Sequence, residues 1–116
     1  MIALKKEIFG YDIHVEALQA GKDWNVLVYG GCSPHVGSVS LAEYVDGDVQ
    51  LRTLLRKDHK DHIVGEKYAR CISMQEKCNV CVSCGIHFHN PLPSDLGHIV
   101  QCSDALLEEL CAVIAK

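Results

Sequence analysis

The sequence predicts an α+β fold, a mainly antiparallel sheet covered by helices. Three observations predict it. Apolar and polar residues alternate with period two through most of residues 11–56, broken by turn signals. From Lys60 the period lengthens to that of a helix. After one further strand, the last residues carry a wide helical apolar face. The 116 residues fit a single domain, 1–116. A chain of this size buries roughly two thirds of its unfolded surface and needs no covalent staples.

The first predicted strand starts at Tyr11. Tyr11, Ile13, Val15 and Ala17 alternate with Asp12, His14 and Glu16, so one face is wet. Gly21-Lys22-Asp23 is a turn. Trp24 to Tyr29 is apolar on both faces, which predicts an interior strand covered on both sides; Gly30-Gly31 ends it. Val36 to Val45 is the next strand. Val39, Leu41 and Val45 share one face. Ser38, Ser40, Ala42 and Tyr44 share the other, where small side chains let a neighbour come close. Asp46-Gly47-Asp48 is a strong turn signal, and Val49 to Arg56 returns as the partner of an antiparallel hairpin.

The helix from Lys60 places Val64, Tyr68, Ile72 and Gln75 one above another, with Ile63 and Cys71 alongside. Asp58 or His59 stands at its start, where a carboxylate favours free N–H groups. Asn79 to Phe88 is a strand. Val80, Val82, Cys84, Ile86 and Phe88 lie on one face, and Cys81, Ser83, Gly85, His87 and His89 on the other. Asn90-Pro91 and Pro93 break it. Ser94 or Asp95 caps a short helix to about Cys102, and Ser103 or Asp104 opens a second with Leu106, Leu107, Leu110, Val113 and Ile114 inward.

Composition narrows the function. A net charge of −4 gives no overall attraction for nucleic acid or anionic membrane. Arg52, Arg56, Lys57, Lys60 and Lys67 cluster, diluted by Asp58, Asp61 and Glu66, so they read as a solvated face or a phosphate contact. No run reaches the ~18 apolar residues of a membrane span. Met1 to Phe9 has no signal-peptide core, and a cytoplasmic location is expected. The seven cysteines are an odd number, and free thiols without a structural disulfide are expected.

Four stretches could carry chemistry. Gly30-Gly31-Cys32-Ser33-Pro34-His35-Val36-Gly37 could bring backbone N–H groups to an anion, or be an ordinary loop; it is neither a Walker loop nor a dinucleotide fingerprint. Cys78, Cys81 and Cys84 have spacing that suits zinc or iron–sulfur on paper. Period two puts Cys81 opposite the other two, so buried structural thiols are the better reading. His87 and His89 leave one strand face at metal-ligand spacing, and His35, His59, His62 and His98 could add ligands. His59-Lys60-Asp61-His62 could pair a base with a carboxylate, bind phosphate through Lys60, or be a charged helix start. No hydrolase elbow or paired-histidine zinc helix occurs.

Taken together, Gly30-Gly31, Pro34-His35-Val36-Gly37-Ser38-Val39, His59-Lys60-Asp61 before a helix and Gly85-Ile86-His87 at a strand end resemble the prenylated-flavin chaperone family. That family includes the small accessory subunit of gallate-type decarboxylases. The resemblance runs from about Tyr11 to Ile114. It implies a fold like that of proteasome-assembly chaperones. It also implies a role in maturing or activating a UbiD-like aromatic-acid decarboxylase that uses prenylated FMN. By motif, it implies that His35, Gly37, His59, Asp61, Gly85 and His87 contact the cofactor. His62 stands where that pattern leads one to expect a second acid.

The expected function is therefore an accessory protein that binds prenylated FMN or FMN, with Gly30, Gly31, His35, Gly37, His59, Lys60, Asp61, Gly85 and His87 as site residues. Gly30, Gly31 and Gly37 would offer N–H groups. Gly85 would leave room for a planar ring, and Lys60 would meet phosphate. A homodimer is expected, with no catalytic residue and no metal, since no complete ligand set is adjacent in sequence. Two alternatives stand beside it: a small metal-dependent enzyme using His35, His87 and His89, and an assembly factor that binds only protein.

Overall fold

The computed structural model describes residues 1–116 as eight elements: β1 (Ile2–Ile8), β2 (Tyr11–Ala20), β3 (Asp23–Gly31), β4 (Ser38–Val45), β5 (Asp48–Leu55), α1 (His62–Glu76), β6 (Val80–His87) and α2 (Pro93–Ile114). The strands form one sheet in the order β1-β2-β3-β6-β4-β5. Every neighbouring pair is antiparallel except β3 and β6, which run parallel with Trp24 opposite Val80 and Gly31 opposite His87. The expected α+β class holds, and the expected hairpin of β4 and β5 closes with Val45 paired to Asp48. Asp46 and Gly47 both have positive φ, 51° and 82°, which matches the right-handed twist of the flanking strands.

Both helices pack on one face of the sheet. Ile13, Val15, Val28, Val80, Val82 and Cys84 meet Tyr68, Ile72, Leu106 and Leu110 in one core. α1 lies over β4, β6 and β5, and α2 over β1 and β2. The small-residue face of β4 explains how closely α1 sits. Ser38, Ser40 and Ala42 are buried there, and a Cβ on Gly65 would come within 3.3 Å of Cys84 Cβ and Ser38 Oγ. The buried Ser40 hydroxyl is answered by Thr53 at 3.0 Å, which itself donates to Glu66 at 2.6 Å. Between the helices, the Tyr68 hydroxyl donates to the Ser103 carbonyl at 2.6 Å. A buried phenol needs such a partner, since leaving it unpaired costs about 1–3 kcal/mol.

Several sequence expectations need correction. β1 was not anticipated, although Ile2, Leu4 and Ile8 alternate with Ala3, Lys5 and Glu7 and the Phe9-Gly10 turn has positive φ twice. β3 is interior, but only its Val26 and Val28 face is covered; Leu27, on the other face, is 48% exposed. On β4 the apolar Val39 and Leu41 are the exposed set. α1 begins at His62, two residues late, and buries Gly65, Tyr68, Ala69, Ile72 and Ser73, while Ile63, Cys71 and Gln75 face solvent. The two short C-terminal helices are one. α2 runs unbroken through Cys102 and Ser103, both buried, and Asp95 accepts the Leu92 N–H at its start at 2.9 Å. Serine and aspartate signalled a helix start at Ser103, but burying that face under β1 and α1 outweighs local preference.

No helix is long and apolar enough to cross a membrane. All seven cysteines are free thiols. Cys78 and Cys84 are buried, while Cys81 lies half-buried on the opposite face of β6 from Cys84, so those three do not converge.

Candidate functional site

At the C-terminal ends of the parallel pair β3 and β6, the chain leaves the sheet in two directions. A cavity of about 530 Å³ opens there. The ends of parallel strands are where open sheets commonly hold ligands. One rim is polar: His35 from the β3–β4 loop, Asp58, His59, Lys60 and Asp61 from the β5–α1 loop, and His87 from the end of β6. The opposite wall is apolar: Val64 of α1, Ile86 and Phe88 of the β6 end, and Pro91, Leu96 and Ile99 at the start of α2.

Asp61 organises the polar rim. It stands at the N-terminus of α1 but does not cap it. Its Oδ1 accepts the Ile86 N–H at 3.0 Å, and its Oδ2 lies 2.9 Å from His35 Nε2. It is only 9% exposed at the side chain, against 20% for His35. His35 Nδ1 lies 3.0 Å from the Ser33 carbonyl, and His59 Nδ1 lies 2.7 Å from the Lys57 carbonyl. The two imidazoles sit 5.0 Å apart, centroid to centroid, tilted by 56°. Asp61 acts below the rim as well. With burial as the larger cause, its charge helps push the Cys84 thiol up to about 12, so that sulfur is inert near neutral pH.

Of the expected site residues, His35, His59, Lys60, Asp61 and His87 come together on the cavity. The four glycines do not line it. The β3–β4 loop lies against the end of β6, and several of its N–H groups are engaged there. Cys32 donates to the His87 carbonyl at 2.7 Å, and Gly37 to the Cys84 carbonyl at 2.9 Å. The Gly37 N–H is therefore committed to the protein's own backbone and is not offered to an anion. Instead the glycines permit contact. A Cβ on Gly30 would meet the Asp12 carbonyl at 2.3 Å, and one on Gly31 the His87 carbonyl at 2.1 Å. On Gly37 it would meet the Asp61 carboxylate at 1.7 Å. The space at Gly85, expected to seat a planar ring, is filled by the His35 carbonyl, 1.7 Å from where a Cβ would lie.

The histidine set expected for a metal enzyme also changes. His87 and His89 pack edge to face at 5.0 Å, but the potential ligand group is His35, His59 and Asp61. His89 faces a separate groove with Phe9, Tyr11, Cys32 and Asp95. Sequence reasoning missed the apolar wall. Leu96 and Ile99, three apart on a helix, were the available signal.

A six-stranded mixed sheet with two helices on one face and a cavity at its parallel seam defines the class as a small α+β domain. The solved chaperone complex for yeast 20S proteasome assembly has a chain of this fold, with a TM-score of 0.61 at 15% identity, covering 99% of this chain and 96% of that one. At that identity the likeness concerns fold alone. Residues 7–115 match the prenylated flavin chaperone LpdD-like domain, and the chain belongs to that family. Among its relatives is Protein LpdD of Lactiplantibacillus plantarum, 24% identical over 112 residues, which cover 95% of this chain and 82% of that protein.

Proposed function

We propose that this protein holds prenylated FMN, or FMN, in the cavity and serves the maturation of a UbiD-like aromatic-acid decarboxylase. The observation that carries this is the two-sided lining of a cavity of about 530 Å³. That is within the range of cofactor sites, and an apolar wall facing a few convergent polar groups is their usual construction. The wall of Val64, Ile86, Phe88, Leu96 and Ile99 suits a flavin ring and its prenyl addition. His87 can hydrogen-bond a ring carbonyl, His35 and His59 line the same polar rim, and Lys60 can meet the phosphate as a point charge. The role is that of an accessory protein, because the decarboxylation chemistry belongs to the cofactor once it sits in the partner enzyme.

Calorimetric titration with FMN, prenylated FMN and riboflavin tests this, beside co-expression with a UbiD-like decarboxylase. The prenylated form binds most tightly, riboflavin is weakest for want of a phosphate, and co-expression raises the cofactor-loaded fraction of the enzyme. Lys60→Ala narrows the gap between FMN and riboflavin. Affinity no tighter than millimolar, with no change in loading, overturns the reading and leaves a factor that binds only protein.

The chain also pairs with a second copy on this reading. Supporting it is the sheet face the helices leave open, where Leu27, Leu41 and Leu54 are 48%, 40% and 79% exposed. Twofold dimers are the commonest soluble oligomers. Light scattering at micromolar concentration returns twice the 12.8 kDa of one chain; the single-chain mass refutes it.

A further inference from the structure

We propose that His35 Nε2, His59 Nε2 and Asp61 Oδ2 bind one divalent transition-metal ion, with the remaining coordination positions open to the cavity. The inference uses the polar rim of the same cavity but does not rest on the flavin reading. It starts from the orientation of the three side chains.

One ligand atom from each of the three residues lies within 4.8 Å of the other two. Each side chain is fixed through its other polar atom. His35 Nδ1 faces the Ser33 carbonyl at 3.0 Å, and His59 Nδ1 faces the Lys57 carbonyl at 2.7 Å. Both bonds run to the carbonyl two residues back, and both need Nδ1–H as donor. That tautomer leaves the lone pair on Nε2 of each ring. The Asp61 carboxylate is oriented in the same manner, since Oδ1 accepts the Ile86 N–H at 3.0 Å and Oδ2 is left pointing at His35. Histidine ligands that donate their second N–H to a backbone carbonyl, and a carboxylate pinned by its second oxygen, are the outer shell of a metal site.

The His35–Asp61 contact makes the case sharper. With Nδ1–H given to Ser33, the Nε2 lone pair faces a carboxylate oxygen at 2.9 Å. Two acceptors at that distance repel unless a positive charge stands between them. A proton on Nε2 supplies it for that pair alone. A metal ion supplies it and also engages His59, whose Nε2 the Lys57 bond leaves free. Ligand atoms around one ion with bonds of about 2.0–2.1 Å lie roughly 3–3.5 Å apart. The His35–Asp61 pair is already close to that spacing. His59 is half-buried on a loop and closes the remaining distance by a small ring movement.

Two imidazoles and one carboxylate select zinc, cobalt, nickel, iron or manganese over magnesium and calcium, which prefer all-oxygen sites. Three protein ligands on one side leave room for water or an oxygen of a bound ligand on the other, beside Lys60. This separates the site from a closed structural zinc site with four protein ligands.

The test uses tag-free protein stripped with chelator and titrated with cobalt(II), followed by visible spectroscopy and calorimetry, with zinc(II) in competition. One cobalt binds per chain, with ligand-field bands and no thiolate-to-metal charge-transfer band. Zinc displaces it. His59→Ala, at a half-buried loop position, weakens binding by more than about tenfold. Asp61→Asn, which keeps the bond to the Ile86 N–H through its amide oxygen, does the same, and His89→Ala leaves the affinity unchanged. Circular dichroism and thermal melts accompany each variant. Three results overturn the proposal: no saturable binding tighter than millimolar, a charge-transfer band showing that the cysteines hold the metal, or equal affinity in His59→Ala and the parent.

Discussion

Replacing Gly85 by alanine separates two accounts of that residue, a gap kept open for a ligand and a contact point for the chain's own backbone. The new Cβ would lie 1.7 Å from the His35 carbonyl oxygen and 2.3 Å from its carbon. Real contacts of this kind are near 3.2 Å or longer, so the His35–Val36 segment must retreat by more than about 1 Å from a close-packed position. The retreat breaks the Gly37 N–H bond to the Cys84 carbonyl, 2.9 Å, and weakens the longer His35 N–H bond to the Gly85 carbonyl. It also draws His35 off Asp61. Two net backbone bonds at about 1 kcal/mol each, plus strain, give roughly 3–4 kcal/mol. Against this, alanine restricts the unfolded chain and recovers about 0.5–1 kcal/mol. The balance is roughly 2–3 kcal/mol of destabilisation, or a Tm lower by about 10 °C for a domain of this size. The loosened His35–Gly37 loop becomes sensitive to limited proteolysis, and the His35 ring resonances move in the NMR spectrum. A variant with a Tm within about 2 °C of the parent, and with His35 resonances in place, refutes the close-contact reasoning.

Gly97 gives the opposite result. It lies on exposed α2 with nothing near its missing Cβ, so Gly97→Ala raises stability by about 0.5–1 kcal/mol in chemical denaturation. Tyr68→Phe removes the bond to the Ser103 carbonyl and lowers stability by about 1 kcal/mol with the fold unchanged, and an unaltered denaturation midpoint contradicts it. Cys84 sets an alkaline limit. Burial chiefly, with Asp61 adding to it, raises its thiol from 9.0 to about 12, so the folded state holds a proton that the unfolded state releases. Its contribution to stability is complete below pH ~9 and falls by about 1.4 kcal/mol per pH unit until roughly pH 12. At pH 8 an alkylating reagent labels exposed Cys71 at once and leaves Cys84 intact until the chain unfolds, as peptide mass mapping will show.

The fold was legible wherever one face of an element is wet. β2, the β4–β5 hairpin and β6 show their periodicity because their two faces meet different solvents. β1 escaped notice because Lys6 interrupts its inner row, at a sheet edge where a lysine stem can reach water. The join within α2 misled because Ser103 is a capping residue by type and a core residue by position. Pairing β3 with β6 in parallel could not be read from alternation, which carries no strand direction. At the site, the histidines and Asp61 were visible as unusual residues at segment ends. The glycines were misread for one reason. Sequence marks where a side chain is not tolerated, and only packing shows whether a ligand or the protein's own carbonyl fills the space. The bond from the Ile86 N–H to Asp61 spans 25 residues and has no local signature.

The position of β6 also bears on the order in which the molecule is made. β1, β2 and β3 can zip together as successive hairpins, and β4 with β5 as another, each from contacts near in sequence. Neither half can reach the other until β6, emerging after α1, slots between β3 and β4. Closing those long loops is the slow entropic step in folding. The His35 loop links the two halves, Asp61 follows the second, and Ile86 belongs to the strand inserted between them. On a ribosome, the two ribbons therefore wait for β6, and the cavity is complete only once the start of α2 has followed it.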